Sequence, residues 1–182
     1  PSCLAWWSGD ATRTALLKAI ATQTISPVPP FVVTPIQLVD VTLSTDTNAY
    51  ASGDLIADTQ IVNSAVRATD ALGVLQSLVL IDEADQKAAL DIYFLSANNT
   101  FGTENSAPSI LDANAGAILA VISVASGDYK DLGGVSVVEK ANLSKIIKPA
   151  TGSDDIYVAV VNGSGTPTYG ATSLKLRVGV VC

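Results

Sequence analysis

The chain has 182 residues, 48% of them hydrophobic and only 15% charged, with a net charge of −7 and a pI near 4.3. One well-filled domain plus an appendage suits that length, since chains of this size bury roughly 70% of their unfolded surface. The scattered lysines form no basic stripe to neutralise phosphates, which argues against a nucleic-acid partner. No run reaches the ~20 apolar residues of a membrane-spanning helix.

Trp6 and Trp7 come first, just ahead of Asp10, a fair helix N-cap. Leu16, Leu17 and Ile20 then fall among good helix formers, which predicts a short helix near residues 11–22. From Ile25 to Pro35 the chain carries four prolines in eleven residues, read as a stiff, extended linker containing Phe31. Residues 1–35 are therefore expected to form an N-terminal arm, and residues 36–182 a separate domain. The arm either folds back on its own domain or reaches a neighbour. In the second case Trp6, Trp7, Leu16, Leu17, Ile20 and Phe31 are the contact residues, tryptophan being enriched in interface hot spots. Pro1–Asp10 lacks the basic start and small-residue cleavage site of a secretion signal, and none is expected.

After Pro35 the pattern changes to period two. Strands are predicted at Ile36–Leu43, Leu55–Val66, Val74–Ile81, Leu90–Leu95, Ala117–Val124, Val135–Glu139, Lys145–Lys148, Ile156–Val161 and Leu174–Val181. Asp82–Gln86 looks like the turn of a hairpin, and Gly133–Gly134 and Gly163–Gly165 like hairpin turns. Asp112–Ala117 could instead form one helical turn before the central strand. About nine short strands with turn signals between them define the expected fold class. It is all-β, an antiparallel β-sandwich or jelly roll, with an N-terminal arm containing a short helix.

Little in this sequence carries chemistry. The absence of histidine removes the commonest general base and most zinc sites, and the absence of methionine removes methionine axial ligands. Cys3 and Cys182 are read as free thiols ahead of a bridge, and two thiolates do not complete a metal site. Asp82, Glu83 and Asp85, or Asp154 and Asp155, are the carboxylates to weigh as a glycosidase pair; their positions in turns favour local hydrogen bonding instead. Tyr50, Tyr129, Tyr157 and Tyr169 could line a shallow sugar site. The reading taken is that each packs its ring at a sheet edge with its hydroxyl in water. Neither an enzyme nor a cofactor is expected.

Three stretches give a family resemblance: DVTLSTDTNAYASGDLIADTQ (Asp40–Gln60), GVLQSLVLIDEADQKAALDIYFLSANNTFGTENSAPSI (Gly73–Ile110) and IYVAVV (Ile156–Val161). In these the chain resembles the capsid decoration, or cement, proteins of tailed bacteriophages. Residues 1–35 lie outside the resemblance. It implies a non-catalytic subunit on the outer surface of the virion, a homotrimer bound to the major capsid protein. The alternative is a head-fibre or tail adhesin domain that binds host glycans.

Overall fold

The computed structural model describes residues 36–182. The arm, its expected helix and the whole set Trp6, Trp7, Leu16, Leu17, Ile20 and Phe31 lie outside the described residues, as does Cys3.

Nine strands follow in order: β1 (Ile36–Leu43), β2 (Leu55–Val62), β3 (Gly73–Asp82), β4 (Ala89–Leu95), β5 (Ile118–Val124), β6 (Lys130–Asp131), β7 (Ser136–Ile147), β8 (Ile156–Ser164) and β9 (Leu174–Val181). A 3₁₀ turn at Asp112–Ala117 precedes β5, the alternative that the sequence leaves open there. The strands form two sheets, ordered β1-β9-β3-β7-β6 and β2-β8-β4-β5, and every pairing is antiparallel.

The pairing has a simple logic. β1 pairs with β9, β2 with β8, β3 with β7 and β4 with β5, so the chain is one long hairpin. Wrapping that hairpin on itself adds the pairs β3–β9 and β4–β8, which close the two sheets. This is the jelly-roll topology. The expected all-β sandwich is therefore what the chain forms.

The core lies between the sheets and follows the alternation of each strand. Leu174, Leu176, Val178 and Val180 of β9 face inward with Leu75, Leu78 and Leu80 of β3, against Leu90, Ile92 and Phe94 of β4 and Ile156, Val158 and Val160 of β8. β8 is apolar on both parities because both its faces are covered: Ala159 and Val161 belong to a second cluster with Leu55, Leu95 and Phe101. That cluster sits on the outer side of the β2-β8-β4-β5 sheet, under the segment between β4 and β5. Phe101 plugs it, with Tyr93 beside its ring at 5.1 Å between centroids.

Several sequence expectations are corrected. β3 and β4 do not form a hairpin, because they lie in different sheets and the segment between them is an arch across the sandwich. The turn at Gly163–Gly165 likewise leads from one sheet to the other, whereas Gly133–Gly134 does close the β6–β7 hairpin. Val135–Glu139 and Lys145–Lys148 are two ends of one strand, β7, which passes through left-handed residues at Asn142 and Ser144 and a register shift against β3. β2 stops at Val62, and Asn63–Val66 turns away, held by the Ser64 N–H donating to Asp155 Oδ1 at 2.7 Å.

Candidate interaction surface

Of the carboxylates weighed as a catalytic pair, Asp82, Glu83, Asp85 and Asp155 are engaged in structural bonds. Asp82 is fully buried, contrary to its expected place in a solvated turn. Its Oδ1 accepts the Ala84 N–H at 3.0 Å, and its Oδ2 accepts those of Gln86 and Lys87 at 2.8 and 2.9 Å. Asp85 pairs with Lys87, which also bonds Asp131, and Glu83 pairs with Lys175. Asp155 holds the Ser64 turn. Among the described residues no group of three His, Cys, Asp or Glu is placed to hold a metal ion.

The tyrosines are also corrected. Tyr50, Tyr129 and Tyr169 are buried, not set at sheet edges with hydroxyls in water. Tyr50 donates to the backbone oxygens of Asp46 and Ile56, both at 3.1 Å, and burial pushes its hydroxyl up to about 12. Tyr129 donates to the Ala88 oxygen at 2.8 Å. Burial, with the Asp82 charge nearby, raises both Tyr129 and Tyr169. Only Tyr157 of the four stays half-exposed.

Asp58 and Glu104 fix the segment that covers the β2-β8-β4-β5 sheet. Burial pushes the Asp58 carboxyl up, but bonds from the Phe101 N–H (2.7 Å), Thr100 (2.8 Å) and Thr59 outweigh it and hold the group below its usual range. Glu104, 3.4 Å from the Asp58 N–H, moves the other way: burial raises it first, then the charges of Asp58 and Asp46. A carboxyl raised in the fold contributes stability below its unfolded pKa of about 4.3 and loses it as pH rises through the folded value. Glu104→Gln should therefore raise the melting temperature at pH 7, and the gain should vanish at about pH 4. Asp58 has the opposite sign: its contribution is present above about 3.9 and lost as pH falls. Asp58→Asn should accordingly be destabilising at pH 7. Thermal melts at the two pH values check both.

Among the described residues, the outer face of the other sheet has no such cover. Register places Ile36, Val181, Val74 and Ile146 in one row across β1, β9, β3 and β7, and Leu38, Gly179, Ser77 and Ala141 in the next outward row. Ile36, Leu38 and Ile146 are 60%, 63% and 70% exposed, and Leu72, just before β3, is 61% exposed. With Val181, these make five of the nine large exposed hydrophobic residues of the described chain, gathered at one end of one sheet. The charged rows begin further along, where Arg177 makes a two-pronged bond to Asp40, at 2.7 and 3.1 Å, beside Glu139. Sequence reasoning missed this surface. Its one signal is that both parities of β1 are apolar, Ile36 and Leu38 as well as Val39 and Val41, in a strand whose outward side should be polar.

Among the described residues, these features define a jelly-roll domain with one outer face largely covered and the other exposed at an apolar end. No family model matches the chain, and no curated protein matches it. A solved structure of Desmodium yellow mottle tymovirus aligns with 80% of this chain and 85% of its own, at 11% identity and a TM-score of 0.27. An overlap that loose carries no argument about function.

Proposed function

We propose that this protein is a non-catalytic structural subunit of a virus particle. In this reading it binds the outside of an assembled phage head as a decoration, or cement, protein. Its partners are the major capsid protein and its own copies, as a homotrimer. The observation that carries the reading is the jelly roll with an apolar end of its outer β1-β9-β3-β7 face exposed among the described residues. Viral capsid domains are among the recurrent users of this topology, and exposed apolar patches mark binding surfaces. A fold alone does not decide function. The sequence resemblance at Asp40–Gln60 and Gly73–Ile110 and the low charge content, 15%, favour the same reading. Burial of Tyr50, Tyr129 and Tyr169 takes away three of the four tyrosines on which a sugar-binding alternative rested, leaving Tyr157 half-exposed.

The physics of such a role is mass action. A ligand that binds only the assembled shell stabilises it by RT ln(1 + [L]/Kd), and many equivalent sites add avidity without tight single contacts. Purified protein should co-sediment saturably with expanded heads and not with free capsid subunits. Wild-type protein that stays in the supernatant with intact heads would overturn the reading.

A further inference from the structure

We infer that the apolar end of the outer β1-β9-β3-β7 face is where one copy of this chain seats on another. This deepens the self-association in the reading above and names its surface; head binding is a separate matter.

Three observations carry it. The first is contrast. On the β2-β8-β4-β5 sheet Phe101 and the segment around it cover the outer cluster of Leu55, Leu95, Ala159 and Val161, leaving Ile61 and Val121 on the two edge strands exposed. On the other sheet Ile36, Leu38, Leu72, Ile146 and Val181 are all exposed among the described residues. The second is size. Four strands about 4.8 Å apart, over some five residues of about 3.3 Å each, give this end a footprint of roughly 300 Å². That is the right scale for the apolar centre of an interface of about 800 Å² a side, with the polar rows around it as the rim.

The third is charge. No carboxylate stands in the two outward rows, and Lys148, two residues beyond Ile146, is exposed at their end. Residues 36–182 hold 16 of the chain's 17 acidic residues against 8 of its 10 basic ones, so a second copy offers the sign this lysine needs.

The test uses the full chain in sedimentation velocity and light scattering over a concentration series. Wild-type protein should run at a multiple of 18.7 kDa. Leu38→Lys with Ile146→Lys should weaken association at least tenfold, with an unchanged circular dichroism spectrum. Val121→Lys, at an exposed site on β5, should have no effect. Lys148→Glu should weaken association, and Lys148→Arg should leave it unchanged. That pair decides the matter even if the double lysine variant fails to fold. A monomeric wild type would overturn self-association altogether, the proposed homotrimer included. An oligomer indifferent to both sets of variants would overturn this surface and leave self-association standing.

Discussion

Asp82→Ala should lower the melting temperature by roughly 6–12 °C, equivalent to about 3 kcal/mol for a chain of this length. The carboxylate is wholly buried and accepts three backbone N–H groups from the arch between β3 and β4. A bond to an ionised acceptor is worth about 1.5–3 kcal/mol. The total stays near the cost of one or two such bonds because donors freed in this partly exposed arch can turn to water. The three donors belong to a segment that already includes left-handed Asp85 and Lys87, so without their acceptor the arch has little reason to keep that path. Asp82→Asn should fall between alanine and wild type: its one oxygen can serve Gln86 and Lys87, while its NH2 faces the N–H of Ala84. Amide exchange at Gln86 and Lys87 should rise in both variants. A melting temperature within about 2 °C of wild type for the alanine variant would mean the carboxylate does not hold the arch.

Much of this fold was legible because alternation is a local signal. β1, β3, β4, β5 and β9 fall within one or two residues of their expected bounds, and the unbroken apolar run Ile156–Val161 marks a strand buried on both faces. What could not be read is which strands pair. A jelly roll pairs the first strand with the last, so turn chemistry at Asp82–Gln86 or Gly163–Gly165 says that the chain bends, not which sheet it enters next. A local rule also misled at β7. Asn142 and Ser144 resemble a break, yet the strand runs through them with a shift in register. The tyrosine expectation failed for a related reason: a hydroxyl can be met by backbone oxygens inside the sandwich, as Ile56 and Ala88 do for Tyr50 and Tyr129. The interaction surface stayed hidden because alternation identifies two faces of a strand without saying which is inside. In β1 both are apolar, and only the pairing with β9 decides it.

The two outer faces of the sandwich invite a complementary perturbation. Phe101→Ala should cost about 3–4 kcal/mol, within the range for truncating a buried aromatic ring. Phe101 is 3% exposed and fills the cluster formed by Leu55, Leu95, Ala159 and Val161. Its backbone is pinned as well, through the N–H bond to Asp58 and the Ser109 N–H donating to its own oxygen at 2.6 Å. Further along the same segment, the backbones of Asn105 and Ser106 bond Leu55 on β2. Loss of the ring removes the apolar reason for the segment to lie across the sheet while leaving those polar anchors in place. The expected result is therefore local opening before global unfolding: cleavage by protease within Asn98–Pro108, binding of a hydrophobic dye, and faster amide exchange at Asn105. A sheet face bared in this way is an adhesive surface that wild-type protein does not present, so this variant should also aggregate at concentrations where wild type does not. Phe101→Leu should retain most of the protection, since volume and burial decide the outcome more than aromaticity. If the alanine variant lost stability globally while the segment stayed protease-resistant, Asp58 and the Leu55 backbone bonds, and not the ring, would be what closes this face.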